Sequence, residues 1–155
     1  MLRALLMTAD IIEKVYEKYA WIILSAIGIL TMVGALPHAL GVNTDPATAE
    51  SIAGIALSSL QPGAFALYDF YFKFGGWSDV AFAFFLTVIS ATAYRKGEKW
   101  AWYALWFVPI YFLGSAGIVM SVPAAMSLLP FLAVFTILPV LGLLLPFRKF
   151  FPKGE

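Results

Sequence analysis

Residues 94–106 read Tyr-Arg-Lys-Gly-Glu-Lys-Trp-Ala-Trp-Tyr-Ala-Leu-Trp and separate two long apolar stretches of the chain. The centre of this segment, residues 95–99, is a charged turn in which Gly97 suits a left-handed helix end. The apolar stretches on either side are each long enough for a helix that crosses a membrane. Residues 94–106 therefore indicate two antiparallel helices whose connecting turn lies at a membrane surface.

Two further apolar stretches accompany this pair, which makes four in a chain of 155 residues. They cover about residues 20–36, 77–94, 100–119 and 122–145, each close to the ~20 residues that cross ~30 Å of hydrocarbon. Hydrophobic residues make up 62% of the chain and charged residues only 12%. A chain of this size cannot bury so much apolar surface within itself. The sequence predicts one domain, residues 1–155, an all-α integral membrane bundle of four antiparallel transmembrane helices.

Lysine and arginine are concentrated at the ends of alternate spans. Three precede the first span, three lie between the second and third, and three follow the fourth: Arg3, Lys14, Lys18, Arg95, Lys96, Lys99, Arg148, Lys149 and Lys153. Lys73 is the one basic residue in the first connection, and the connection between spans three and four has none. The positive-inside rule then predicts a multi-pass protein of the cell (inner or plasma) membrane with both termini cytoplasmic.

The N-terminal segment, residues 2–18, has apolar side chains at a spacing of three or four, which is typical of an amphipathic helix. Asp10 and Lys14 form a favourable i,i+4 pair on its polar side. Such a helix can lie on the inner leaflet or run directly into the first span. Acidic residues interrupt it and no small-residue cleavage site follows, so we expect it to be retained.

The long outer segment, about residues 40–76, separates the first two spans. Asp45 and Pro46 predict a helix with an N-cap and a proline in its first turn. An apolar stripe continues this helix to about Leu60, and Gln61–Pro62–Gly63 is expected to end it. The segment therefore predicts a helical piece on the outer side of the bundle.

An aromatic run follows in residues 65–74, and Gly75–Gly76 are expected to break the chain before the second span. Ser78 or Asp79 can then cap that span. Tyrosine and phenylalanine rings sit well at headgroup depth. The aromatic run predicts either an interfacial hairpin with the preceding helix or a lid that packs over the bundle.

Composition excludes several kinds of chemistry. The chain has no cysteine, which removes disulfides, thiolate metal sites and thiol-based redox reactions. One histidine cannot provide bis-histidine haem ligation or a multi-histidine metal centre. A net charge of +1 argues against electrostatic binding of nucleic acid. We therefore expect no metal, no cofactor and no nucleic-acid partner, and we assign no catalytic residue.

The middle of every predicted span lacks an ionisable side chain. Its polar residues are neutral: Ser25, Thr31, Thr87, Ser90, Thr92, Tyr111, Ser115, Ser127 and Thr136. Proton-coupled transporters normally place a carboxylate or a histidine at membrane depth. The pattern therefore disfavours a transporter of that kind.

The candidate ligand-binding residues lie on the predicted outer side: His38, Tyr68, Asp69, Tyr71 and Asp79. His38 would end the first span and Asp79 would begin the second, so we expect these two side chains at similar depth. A histidine beside a carboxylate can act as an acid–base pair or hold a metal ion. A lone histidine at a helix end more often meets a carbonyl group or water. Ordinary interfacial polarity is the favoured interpretation.

Two features of spans three and four allow bending and close packing. Pro109, Pro130 and Pro139 are expected inside these spans, where each removes a helical hydrogen bond. The small residues 114–117 permit another helix to approach span three closely. That helix can belong to the same bundle or to a partner subunit.

Residues 94–106 also carry a family resemblance. In these residues a basic pair is followed by Gly-Glu, a basic residue and Trp-Ala-Trp. This pattern resembles the inner turn of small four-helix membrane proteins of bacteria and archaea. No activity is attached to those proteins, so the resemblance implies a fold and no site residues. The physical role of such a turn is membrane anchoring. The predicted interface anchors are Trp21, Arg95, Lys96, Lys99, Trp100, Trp102 and Trp106.

Three functions are compatible with these observations. The favoured one is a non-catalytic accessory or scaffold subunit of a membrane assembly, whose partners beside the lipid bilayer are other membrane subunits or further copies of this chain. The first alternative is a protein that binds or isomerises a lipophile such as a lipid, a sterol-like molecule or a quinone. The second alternative is a small transporter or channel.

Overall fold

The protein is an all-α bundle in a computed structural model that describes the backbone of residues 2–152 and the side chains of residues 14–152, with no strand in that part of the chain. Its helices are α1 (Leu2–Ala39), α2 (Pro46–Ala53), α3 (Pro62–Ile89), α4 (Lys99–Leu105), α5 (Phe107–Met120), α6 (Leu129–Leu144) and α7 (Phe147–Phe150). Four segments are long and apolar enough to cross a membrane: Lys14–Ala39, Pro62–Tyr94, Lys99–Met120 and Pro123–Leu144. The predicted four-helix membrane bundle is confirmed.

The first helix is continuous, so the backbone of residues 2–18 runs directly into the first span. The apolar pattern of residues 2–13 and the Asp10–Lys14 pair lie outside the described side chains. The helix closes with a Schellman motif, in which the amide of Val42 donates to the carbonyl of Pro37 at 2.8 Å and Gly41 adopts a φ of +80°. This end places His38 in the last turn of α1.

The second span begins at Pro62, and the predicted break at Gly75–Gly76 is wrong because α3 passes through both glycines. Gly76 lies directly against the end of α1, where an added Cβ would be 2.7 Å from the carbonyl carbon of His38. The close packing offsets the weak helix propensity of glycine. The aromatic run 65–74 is therefore the first part of α3. Ser78 and Asp79 lie inside the helix and cap nothing.

The short helix α2 covers the end of the bundle at which α1 finishes. We name this end of the bundle the α2 end. Asp45 caps α2 as predicted, because its Oδ1 accepts a hydrogen bond from the amide of Thr48 at 3.2 Å. The helix stops at Ala53, short of the predicted Leu60, since Gly54 adopts a φ of +69° and ends it in a left-handed cap. α2 then packs on the 3₁₀ turn Pro123–Leu128 at the start of span four.

The opposite end, which we name the basic end, joins the first half of α1, the turn 95–99 and α7. Span two finishes in a π-helical turn, Ser90–Tyr94, and the helical backbone after it stops at Gly97, which has a φ of +84°. The amide of Glu98 donates to the carbonyl of Ala93 at 3.1 Å. The predicted left-handed end at Gly97 is confirmed.

Two aromatic side chains fix the end of α6 at the basic end. Pro146 has no N–H to offer the carbonyl of Gly142, four residues earlier. The buried Tyr94 hydroxyl donates to that carbonyl at 2.5 Å, and the indole N–H of Trp102 donates to the carbonyl of Leu143 at 2.9 Å. Spans two, three and four are thus tied together by donors that replace a missing backbone amide.

The three span prolines act in different ways. Pro109 lies in the first turn of α5, after an interruption at Trp106, because it cannot supply the N–H that would continue the helix. Pro130 lies inside span four as predicted, but it is in the first turn of α6, where it removes no helical hydrogen bond. Pro139 is inside α6 and buried, as expected.

Most of the lateral surface of the spans has no protein neighbour. In the most apolar part of each span, 33% of the residues are buried in the first span and 22% in each of the others. Large apolar side chains such as Val33, Leu113 and Ile118 are more than 60% exposed. This amount of unburied apolar surface is compatible with a multi-pass membrane protein.

The α1–α3 contact can be tested by substituting neighbouring glycines of α3. Gly76→Ala is expected to be less stable than Gly75→Ala by about 1–3 kcal/mol, because only the Cβ at position 76 meets backbone atoms. Both substitutions gain the same helix propensity, so their difference isolates the packing effect. Unfolding in mixed detergent–SDS micelles, followed by circular dichroism, measures it. Equal stabilities would contradict the close approach.

Candidate functional site

A cavity of about 330 Å³ lies between the four spans and is named the interhelical cavity. Residues from α1, α3, α5 and α6 form its wall: Leu30, Thr31, Gly34, Ala35, His38, Asp79, Tyr111, Phe112, Ser115, Phe131 and Leu132. Most of these residues are apolar, and a small polar group lies among them. Such a composition is typical of a small-molecule site.

The charged group in this wall is the carboxylate of Asp79, which accepts a hydrogen bond from the hydroxyl of Tyr111. Tyr111 is held in place by Phe82, whose ring stacks on it with a centroid distance of 4.4 Å. Phe82 is three residues after Asp79 and therefore lies on the same face of α3. One face of α3 thus supplies the carboxylate and also positions its hydrogen-bond donor.

Asp79 lies about one helical turn from the level at which α1 ends, because Gly76, three residues earlier, packs against His38 and Ala39. It is 15 residues before Tyr94, the end of span two, which corresponds to about 22 Å along a helix. The hydrocarbon core is ~30 Å thick. Asp79 therefore lies towards the α2 end of span two, which begins at Pro62 and not near residue 77.

Two hydroxyl groups share the cavity with the carboxylate. Ser115 donates to the carbonyl of Tyr111, one turn earlier in α5, at 3.0 Å. The Oγ1 of Thr31 is buried and has no hydrogen-bond partner among the described residues. A threonine in a helix usually satisfies its hydroxyl with a carbonyl of the preceding turn.

The cavity opens sideways between α1 and α6. Leu30, Gly34 and Phe131 line it and are also exposed on the lateral surface of the bundle. Nearer the basic end the same two helices pack directly against each other. An added Cβ at Gly142 of α6 would lie 3.4 Å from the side chain of Leu24 of α1. The opening therefore faces the surroundings of the bundle close to the α2 end.

A second cavity, of about 460 Å³, lies beneath α2 and is named the end cavity. Its lining is mainly apolar: His38, Asp45, Thr48, Ala49, Ile52, Ala53, Leu57, Leu60, Tyr68, Phe72 and Leu128. Hydrogen bonds from Thr48 hold the pKa of Asp45 below its ordinary value, so this rim group stays charged near neutral pH. The hydroxyl of Tyr68 accepts a hydrogen bond from Asn43 at 2.9 Å.

His38 belongs to both cavities. Its Nε2 lies 3.1 Å from the hydroxyl oxygen of Thr44, and its ring packs on Phe72 with a centroid distance of 4.7 Å. The structure thus brings His38 and Asp79 to one cavity, while each has a hydrogen-bond partner of its own.

The other two predicted ligand residues lie away from both cavity linings. Asp69 forms an ion pair with Lys73, one turn later in α3, with 2.6 Å between the carboxylate oxygen and the ammonium nitrogen. Tyr71 is 63% exposed and meets Phe70 edge to face. Both residues belong to the surface of α3. Tyr111, which sequence analysis identified only as a neutral polar residue of span three, takes their place in the site.

The predicted interface anchors lie together at the basic end. Arg95 lies over the ring of Trp21 at 4.8 Å, and Lys99 lies over the ring of Phe151 at 5.8 Å. Trp100 is exposed and donates to Glu98, whereas Trp102 and Trp106 pack edge to face with each other and are half-buried. Lys96 is exposed.

Among the described residues, no three His, Asp or Glu side chains lie close enough together to hold a metal ion. Comparison of the chain with protein-family models, with curated proteins and with solved structures found no match. The resemblance of residues 94–106 to small four-helix membrane proteins therefore stays a prediction. Interpretation of the site depends on its geometry.

The Asp79–Tyr111 contact can be tested by a double-mutant cycle. Tyr111→Phe is expected to lower the free energy of unfolding by about 1–3 kcal/mol, because it leaves a half-buried carboxylate without its donor. Tyr103→Phe, which changes a 60% exposed tyrosine of the same span, should stay within about 0.5 kcal/mol of the parent protein. Unfolding in SDS micelles gives both values. Additive effects of Asp79→Asn and Tyr111→Phe would show that the two groups do not interact.

Proposed function

We propose that the protein binds, in the interhelical cavity, a lipophilic molecule that carries a hydroxyl or amino group. The observation that supports this function is the Asp79–Tyr111 pair, which lies between the spans in a mainly apolar cavity with a lateral opening. It favours the lipophile-binding alternative over the accessory-subunit function that sequence analysis preferred.

The polar chemistry of the cavity defines the ligand class. A carboxylate at membrane depth is costly, and residues of this kind generally mark ligand or ion sites. Tyr111 supplies one donor to Asp79, yet a carboxylate can accept several hydrogen bonds. A ligand hydroxyl or amine would supply another. A ligand with its own carboxylate would be repelled.

The shape of the cavity is consistent with entry from the lipid phase. Its volume of about 330 Å³ falls at the small end of ligand sites, which span roughly 300–1,000 Å³. Leu30 and Phe131 at the opening present apolar surface, so a hydrocarbon chain can lie between α1 and α6 while its polar end reaches Asp79. The proposed activity is binding, and no catalytic residue is assigned.

Filling the cavity provides the test of this function. Gly34→Leu places a side chain in the cavity, where an added Cβ meets no atom within 4 Å, and should reduce the co-purifying lipophile at least about tenfold through steric exclusion. Gly75→Leu adds the same side chain at an equally open position of α3 outside the cavity and should retain the ligand. Native mass spectrometry and mass spectrometry of solvent extracts measure occupancy. Equal occupancy in both variants, or no bound lipophile in the parent protein, would overturn the proposal.

An accessory subunit is the second candidate, supported by two glycines on the outside of α5. Added Cβ atoms at Gly114 and Gly117 would meet no atom within 4 Å, so both glycines face away from the bundle. Small residues on a lipid-facing surface allow another helix to approach closely. The same native mass spectra address this candidate, because a second polypeptide or a second copy in fixed ratio would support it.

We also propose that the protein resides in the cell membrane with the basic end cytoplasmic, as the positive-inside rule implies. The chain has no cysteine, so single cysteines can report its orientation. A membrane-impermeant maleimide added to intact cells should label Ser58→Cys, which is exposed at the α2 end, and should leave Lys96→Cys unlabelled until the cells are opened. The reverse labelling pattern would place the basic end outside.

A further inference from the structure

A cavity of about 420 Å³ at the basic end, named the basic cavity, is lined by four cations and one carboxylate. Lys14, Glu17 and Lys18 come from α1, Arg95 from the turn after span two, and Lys149 from α7. Three separate parts of the chain therefore direct positive charge into one concave space. The cavity lies far from Asp79 along the bundle and does not depend on the proposed lipophile site.

Lys149 lies at the base of this cavity. Its ammonium donates to the backbone carbonyls of Arg95 at 2.7 Å and of Glu17 at 3.2 Å. Burial lowers the pKa of Lys149, Glu17 opposes this shift, and Arg95 adds to it. The positive charge of this lysine is thus incompletely balanced by the protein, and an anion in the cavity would stabilise it.

Arg95 is held at the cavity wall by its contact with the ring of Trp21. A cation–π contact uses no hydrogen-bond acceptor, so the guanidinium keeps donors for a ligand. Arginine presents these donors as a planar fork that matches two oxygens of a phosphate group. An ordered arginine of this kind favours a phosphate ligand over a monatomic anion.

Lys14 and Lys18 are one helical turn apart on α1 and both line the cavity. Like charges at this spacing repel each other weakly, and an anion between them removes the repulsion. Ile22 follows one turn beyond Lys18 on the same face and is 44% exposed. The cationic wall therefore continues directly into an apolar surface on which an acyl chain can lie.

From this arrangement we infer that the basic cavity binds the phosphate group of an anionic phospholipid from the leaflet at the basic end. Lys18 and Arg95 contact the phosphate, and the charge of Lys149 at the base of the cavity helps to neutralise it. The acyl chains follow the exposed face of span one. Basic pockets between transmembrane helices recognise anionic headgroups by this chemistry. A free phosphate ion would use the same cations without the apolar surface.

Lipid titration of the purified full chain in nonionic detergent, read by native mass spectrometry, tests the site. Phosphatidylglycerol and phosphatidylcholine with the same acyl chains are compared, and one phosphatidylglycerol should bind at least about tenfold more tightly. Lys18→Gln and Arg95→Gln should each weaken phosphatidylglycerol binding about tenfold, the effect of losing one charge-assisted hydrogen bond. Lys96→Gln removes the same charge from the same turn, outside the cavity lining, and should change binding less than about twofold.

Three results would overturn the inference. Equal weakening by Lys96→Gln would indicate general attraction of acidic lipid to a basic surface. Displacement of the lipid by millimolar inorganic phosphate would indicate a site for free anions. Unchanged binding in Lys18→Gln, whose exposed side chain can be replaced without loss of the fold, would indicate that the cavity is not the binding site. Lys18→Gln should keep the lipophile bound in the interhelical cavity. Failure of the phospholipid site can therefore be distinguished from failure of the proposed lipophile binding.

Discussion

The close contact between α1 and α3 is the constraint on which the remainder of the structure depends. An added Cβ at Gly28 would lie 2.9 Å from the carbonyl oxygen of Ala83, and one at Gly76 would lie 2.8 Å from the Cα of Ala39. Two glycines, one on each helix, thus allow the backbones to touch at two levels. Asp79 is three residues after Gly76, on nearly the same face of α3, so this contact also directs its carboxylate towards the centre of the bundle.

The two ends of the bundle differ in how firmly they are held, and the difference determines where ligands can bind. At the basic end Tyr94 and Trp102 satisfy the carbonyls of Gly142 and Leu143, and buried side chains fill the space between helices. Towards the α2 end α1 and α6 diverge, and two cavities lie on either side of His38. Internal hydrogen bonds close one end, and the two cavities beside His38 lie at the other. An anionic lipid can still bind at the surface of the closed end.

Span number and the turn at Gly97 could be predicted from sequence because hydropathy and glycine conformation are local properties. The start of span two could not, since Gly75–Gly76 signal a break locally and only the tertiary contact with α1 reveals why they are tolerated. Asp79 was nevertheless among the predicted ligand residues. Its hydrogen bond with Tyr111 could not be predicted, because that contact depends on how span three packs against span two. His38 and Asp79 were correctly expected near one another because both mark helix positions close to the same end. Asp69 and Tyr71 share that region of the chain but point to the surface of α3, and only coordinates distinguish the faces.

The helices of the bundle have unequal lengths, which has a consequence for the surrounding bilayer. Span two, Pro62–Tyr94, extends about 50 Å along its helix, whereas span four, Pro123–Leu144, extends about 36 Å. A hydrocarbon layer of ~30 Å therefore meets a large positive hydrophobic mismatch beside span two and a small one beside span four. Tilting of span two or local thickening of the bilayer accommodates such a mismatch. The bilayer around the protein is then expected to be uneven, with its thickest part beside span two.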